Sequence, residues 1–312
     1  MLDMLDNPVP WPDGARCAAS ITFDMDTDSA LHLSHADAYK RVAALSWLRY
    51  DEVAVPRIVK LFNHYNIKGT FFVPGWCVER YPATVETIVA SDHELAYHGY
   101  LHENPMDQTR EGERYWLERS IEAIERLSGK RPAGGRAPYY NYSPHSTGLL
   151  AQAGFVYDSS LMADSQPYIM RAPEGEVIEL PTDWAMDDWP QYAHSPDFRY
   201  LMPTRAPDKA MEIFMAEFEA AYECGGLWVT VWHPFVTGRL ARLAEVAKMI
   251  EAMQNRGGVW FATMEDIALH VRRCIADGSY TPRVVSMPYY EEPIPELTEG
   301  FPAGLELRKP RG

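Results

Sequence analysis

The sequence predicts an α/β protein of parallel strands, with a barrel preferred to an open doubly wound sheet, on three observations. Short apolar runs rich in β-formers alternate with longer segments of helical periodicity, giving about eight strands joined by helical, right-handed crossovers. No glycine-rich phosphate loop follows the first strand, which weakens the dinucleotide-binding form of the open sheet. The 312 residues are 46% hydrophobic, with 9 Trp, 18 Tyr and 11 Phe, enough for a packed core.

The elements follow in order. "CAASITFD" (17–24) reads as the first strand, and "VPRIVKLFNHYNI" (55–67) as a helix with Ile58, Leu61, Phe62 and Tyr65 on one side. "GTFFVPG" (69–75) is the next strand, "PATVETIVASD" (82–92) a helix and "HELAYHG" (93–99) a strand. A helix over 111–129 ends at Gly129, and "GGRAPYY" (134–140) is extended. Ser143 is the candidate N-cap of a helix over 143–154, with Pro144 at its first position. Strands "FVYDSS" (155–160), "VIELPT" (177–182) and "LWVTVWH" (227–233) precede a helix over 239–255. The strand "GVWFATM" (258–264) and a helix from Glu265 complete the series.

This organisation suggests one domain over residues 1–285, with its core at about 17–275, and a Pro- and Glu-rich tail over 286–312 that packs on the barrel or on a neighbouring subunit. The aromatic- and Asp-rich segment 182–203 lies outside the alternation and reads as a site loop. The formal net charge of −15, with no basic run, disfavours nucleic acid and anionic membrane surfaces as partners. Asp3, Asp6 and three early prolines are unlike a signal peptide, and no apolar stretch approaches a membrane span, so a cytoplasmic protein is expected. The four cysteines are widely spaced and read as buried free thiols.

In parallel α/β folds, the loops after strand C-termini gather on one face. There the first strand ends in Asp24 and Asp26, the third in His98 and His102, the fourth in Arg136 and the penultimate in His233. Asp24 and Asp26, separated by Met25, share one side of an extended chain. Two neutral imidazoles and a carboxylate suit a divalent cation, which assigns Asp26, His98 and His102 as ligands and leaves Asp24 to accept a proton from water. Zinc is preferred by ligand type, though the same set suits iron, cobalt or nickel. Singly, each signal is a common accident: Arg136 alone is an ion-pair partner and His233 alone a core-edge histidine. His32 and His35 read as residues that line or cover the site.

Taken together and in order, these residues resemble the polysaccharide deacetylase family, also called the NodB-homology or carbohydrate esterase 4 group. "TFDMD" resembles its T-F-D-D motif, "HGYLH" its H-[ST]-x-x-H, "RAPYY" its R-x-P-[FY], and "VTVWHP" its last motif. The resemblance implies a distorted (β/α)7 barrel. It also implies Asp24 as base, Asp26, His98 and His102 on the metal, Arg136 orienting Asp24, and His233 as the acid that protonates the leaving nitrogen. "HGYLHENP", "YDSSLMADSQPY", "LPTDWAMDDWPQ" and "GVWFATMEDIA" are similar to a cytoplasmic, generally oligomeric branch. That branch holds Helicobacter-type peptidoglycan deacetylase, cyclic imide hydrolases and PuuE-type allantoinases.

Three departures bear on substrate. Met25 separates the two acids, Gly99 stands where the family has a hydroxyl residue, and "DWAMDDW" only approximates D-x-x-D-W. The last leaves open which of Asp183, Asp187 and Asp188 tunes His233. The expectation is a metal-dependent hydrolase of non-peptide C–N bonds that opens a cyclic imide or related small cyclic amide, with Tyr139, Trp184, Trp189 and Tyr192 as candidate substrate contacts. N-deacetylation of peptidoglycan or other N-acetylated sugars, an allantoinase-like activity, and a ligand-binding pseudoenzyme are the alternatives. A homo-oligomer, dimer or tetramer, is the expected assembly.

Overall fold

The computed structural model describes residues 4–293. Among these residues eleven strands run in chain order: β1 (Cys17–Ser20), β2 (Thr22–Asp24), β3 (Thr70–Val73), β4 (Glu94–Tyr97), β5 (Gly134–Gly135), β6 (Tyr157–Asp158), β7 (Tyr168–Ala172), β8 (Gly175–Glu179), β9 (Leu227–Val229), β10 (Val259–Phe261) and β11 (Val284–Ser286). From β2 through β3, β4, β5 and β6 to β8 every neighbouring pair is parallel. The wall is completed by single parallel bridges, Asp187↔Val231 and Phe23↔Trp232. Seven staves result, counting β1 and β2 as one and taking β9 with its extension, and the fold is a distorted (β/α)7 barrel of NodB type.

The distortion has a local cause. The predicted first strand is split at Ile21: β1 lies between β10 and β9, whereas β2 pairs with β3. At the break Thr22 N donates to the Thr230 side-chain hydroxyl, 2.9 Å away, in place of a ladder carbonyl. Beyond it the alternation of an extended chain takes over. Phe23 packs away from the barrel axis onto Phe62 and Phe71. Thr22 and Asp24 turn inward and both reach Arg136 Nη1.

Most of the predicted helices lie where the periodicity puts them, short helices at Ser29–Ser34, Val42–Leu48 and Gly75–Arg80 stand where none is expected, and the following elements also differ. The helix predicted from 55 begins a turn earlier, Asp51–Tyr65, and ends at Asn66 in the left-handed conformation. The helix predicted from 143 is Ser146–Gln152; Ser143 precedes its cap, accepting from His145 N and donating to Glu113, and Pro144 falls in the preceding turn. Between 203 and 227, where no element is expected, stands the helix Pro207–Cys224, which buries Ala210, Met211, Phe214, Phe218 and Tyr222 at helical spacing. The chain before β8 also doubles back: β7 pairs with it antiparallel.

β11 adds to β7 in parallel, so the chain at 284–286 lies on the sheet. Of the expected tail, residues 294–312 lie outside the described residues. Among the described residues no helix is long and apolar enough to cross a membrane, and Cys17, Cys77, Cys224 and Cys274 are free thiols.

Candidate active site

The ends of β2, β4, β5 and β9, with the loop after β8, bring the chemistry together on one face. Asp26 Oδ1 lies 3.3 Å from His98 Nε2, and Asp26 Oδ2 lies 3.5 Å from His102 Nε2. One donor atom from each of these three buried residues can be chosen so that all lie within 4.8 Å of one another. His98 Nδ1 is 2.7 Å from the Arg136 carbonyl, which can only accept, so Nδ1 carries the hydrogen and Nε2 presents its lone pair inward. Asp26 Oδ1 is buried and has no hydrogen-bond partner among the described residues. A buried carboxylate oxygen without a donor, facing two imidazole nitrogens, fits a divalent cation held by Asp26, His98 and His102. Burial works to raise the Asp26 carboxyl, but His102, His98 and His233 outweigh it and hold the group well below the usual carboxylate range. Burial pushes the His102 imidazole down to about 4, which keeps it neutral.

Asp24 stands beside this set without joining it. Its Oδ2 is 3.7 Å from His98 Nε2, and its Oδ1 accepts from Arg136 Nη1 at 2.7 Å. Arg136 is completely buried and fully engaged: Nε donates to the Ser159 carbonyl, Nη2 to Ser159 Oγ, Nη1 also to Thr22 Oγ1, and the guanidinium lies over Phe72. A planar fork with several fixed partners sets the direction of the Asp24 carboxylate.

On the other side of the site, His233 Nε2 is 3.6 Å from Asp26 Oδ2. Its Nδ1 lies 2.7 Å from Asp188 Oδ1, and Asp188 Oδ2 accepts from His233 N and Thr237 Oγ1. Burial opposes protonation of His233, but Asp188 outweighs it and raises the imidazole well above its ordinary value. The geometry thus separates the three candidate acids. Asp188 holds His233. Asp187 accepts from Tyr140 Oη and Trp189 N, and burial lifts its carboxyl to about 6. Asp183 caps a short turn by accepting from Ala185 N. Asp187, Asp188 and His233 also offer atoms within 4.8 Å of one another, but both Asp188 oxygens are already committed to N–H and O–H donors.

These groups open into a cavity of about 380 Å³. Tyr139, Trp184 and Trp189, the candidate substrate contacts, line it, and so do Ala30, Leu48, Phe198, Tyr200 and Phe235, which no sequence signal singled out individually. Phe198 and Tyr200 belong to the aromatic segment 182–203, so composition pointed at their neighbourhood. Tyr192 does not line the cavity; it is buried and donates to the Pro207 carbonyl. Nor do His32 and His35 line it. His32 pairs with Asp28, and His35 Nε2 meets the Asp197 carbonyl at 3.0 Å. With the ion pair of Arg41 and Asp197, His35 stitches the segment after β2 to the segment carrying Phe198. Tyr139 and Tyr140 both have positive φ, 58° and 57°, backbone strain of the kind found at sites where the surroundings over-determine it.

Known proteins share sequence and fold with this chain. Residues 35–157 match the family profile described as polysaccharide deacetylase. The chain is 31% identical over 244 residues to a peptidoglycan deacetylase of Helicobacter pylori, covering 70% of this chain and 83% of that one. A crystal structure of a Mycobacterium smegmatis protein of polysaccharide deacetylase type superposes with a TM-score of 0.85 at 40% identity, over 90% of this chain and 98% of that one. PuuE allantoinase shares the fold, with a TM-score of 0.75 at 24% identity over 89% of this chain and 96% of that one.

Proposed function

The chain belongs to the polysaccharide deacetylase family, metal-dependent hydrolases of carbon–nitrogen bonds other than peptide bonds, and from that premise we propose that it opens a cyclic imide or a related small cyclic amide. The observation that carries this reading is the cavity. At about 380 Å³ it is sized for a small ring, its walls beside the polar groups include Leu48, Trp189, Phe198, Tyr200 and Phe235, and among the described residues no Lys or Arg lines it. Such a pocket favours a neutral, planar, largely apolar substrate over a chain of sugars, which needs an open groove with polar walls.

Asp26, His98 and His102 would hold the cation, zinc by ligand type. When bound, it supplies Lewis-acid polarisation of the substrate carbonyl and lowers the pKa of water. Asp24, aimed by Arg136, takes the proton of the attacking water as oxygen bonds to the carbonyl carbon. His233, kept protonated by Asp188, delivers a proton to the ring nitrogen as the C–N bond breaks. Water is consumed, and the ring becomes a carboxylate with an amide at the other end. Trp189 and Phe235 pack beside His233 and keep bulk water from it.

Deacetylation of N-acetylated sugars is the second reading. It is favoured by the resemblance to the Helicobacter pylori enzyme and by Tyr139 and Trp184, aromatic and exposed at the cavity mouth, where a sugar face could stack. One paired assay separates the two: loss of imide absorbance with succinimide, hydantoin and phthalimide, against acetate release from N-acetylglucosamine oligomers. Imide turnover is expected, and acetate release without it would overturn the proposal. We also take the working form to be a homo-oligomer, as in the branch the chain resembles, which light scattering at assay concentration tests.

A further inference from the structure

The two histidines of the candidate metal set are held by different means. His98 has the usual support, a ring nitrogen hydrogen-bonded to a backbone carbonyl. His102 lacks it: its Nδ1 is buried and has no hydrogen-bond partner among the described residues. Its direction therefore falls to edge-on packing against Tyr139, 4.4 Å between ring centroids, and to the backbone of the turn that carries it. That turn is demanding, since it begins at Gly99 with φ 71° and ends at His102 itself with φ 63°, left-handed for a residue with a full side chain.

Glu103 closes the turn. Its carboxylate is 8% exposed; Oε1 accepts from Tyr100 N at 2.9 Å, and Oε2 accepts from Tyr100 N at 3.1 Å and Leu101 N at 2.6 Å. One buried and one half-buried backbone N–H group are both satisfied by a single carboxylate next to the ligand. Position 99 cannot supply this support. A β-carbon there would meet Pro138 Cγ at 2.9 Å and Glu103 Oε1 at 3.3 Å, on a backbone that already favours glycine. A hydroxyl residue is thus excluded where the family pattern has one, and the carboxylate stands on the other side of the same turn.

We propose that Glu103 is a positioning residue for metal binding: by pinning the Tyr100 and Leu101 amides it holds the left-handed turn that points His102 at the cation. This rests on reading Asp26, His98 and His102 as the ligands. The test is the dissociation constant for Zn2+, by competition against a chromophoric chelator, for the wild type, Glu103→Ala, Glu103→Gln and His98→Ala. Thermal unfolding of each with and without Zn2+ accompanies it.

Glu103→Ala should bind about 10- to 100-fold more weakly, and Glu103→Gln, which keeps one acceptor oxygen, should fall between it and the wild type. The gap between the unfolding temperatures with and without metal should narrow in the same order. An unchanged dissociation constant in Glu103→Ala, or an equal fall in both unfolding temperatures with the gap intact, would reduce Glu103 to a general structural role and overturn the proposal. If Glu103→Ala does not fold, an unchanged constant in Glu103→Gln overturns it alone. A wild type that binds no Zn2+, or a His98→Ala variant that binds as tightly as wild type, would instead remove the ligand reading and the proposal with it.

Discussion

Arg136 Nη1 lies 2.7 Å from Asp24 Oδ1, with the guanidinium wholly buried and the carboxylate 3% exposed. The pair joins the end of β5 to the end of β2, so one contact both fixes the proposed base and ties two staves of the barrel. Arg136→Ala leaves a buried carboxylate without its counter-charge, and the expected loss of stability is about 3–5 kcal/mol, with turnover abolished. Arg136→Lys is the more telling variant. A single ammonium cannot serve Asp24, Thr22 and both Ser159 acceptors, so turnover should fall at least about tenfold through misdirection of the base while the protein still folds. Near wild-type turnover and unfolding temperature in the Lys variant would contradict the orienting role.

At the far end of β4, adjacent residues carry opposed pH dependences. Burial pushes the His93 imidazole down to about 4 and the Glu94 carboxyl up to about 7. Unfolded His93 binds a proton below about 6.5 that the native form refuses until near 4, so it erodes stability as pH falls through that window. Glu94 keeps its proton in the native state, whereas the unfolded chain releases it near about 4.3, so it erodes stability as pH rises towards 7. Glu94→Gln removes only the second effect. The stability of the variant relative to wild type should therefore increase as pH rises from about 4.3 to 7, by at most about 4 kcal/mol. Thermal unfolding across that range measures it, and a difference that stays flat with pH would contradict the assignment.

The two tryptophans of the cavity should separate by readout. The Trp189 ring lies 5.8 Å from His233 and 5.9 Å from both Phe198 and Trp47, whereas Trp184 is 54% exposed and meets Tyr140 edge-on. Trp189→Ala should lower stability by about 3 kcal/mol and reduce kcat by admitting water beside the acid. Trp184→Ala should leave stability within about 0.5 kcal/mol and raise KM with kcat unchanged. Steady-state kinetics on the best imide substrate and thermal unfolding check both, and the same pattern from both variants would contradict the placement of one inside and one at the mouth.

Much of the site is legible in the linear chain because parallel strands deliver their C-termini to one face, and Asp24, Asp26, His98, His102, Arg136 and His233 all lie within or just past a predicted strand. Other parts depend on tertiary contacts that leave no local trace. Nothing in "CAASITFD" marks the break at Ile21, which comes from the Thr22 and Thr230 side chains more than two hundred residues apart. Asp187 and Asp188 are chemically equivalent in sequence, and only the folded backbone, extended at Asp187 and turning into the helix Trp189–Tyr192 at Asp188, decides which meets His233. Ala30 and Leu48 are ordinary apolar residues until the segment after β2 folds over the cavity. The helix Pro207–Cys224 is a different case, since its apolar residues at 210, 211, 214, 218 and 222 carry the helical period in plain view.

The account divides two carboxylates two residues apart into a base, Asp24, and a ligand, Asp26. The most direct measurement is the metal content and turnover of Asp24→Asn, purified alongside the wild type. The account predicts that the variant keeps the wild-type metal stoichiometry, folds, and loses turnover by about 10²–10⁴-fold. Turnover close to wild type, or loss of the metal together with activity, would contradict it.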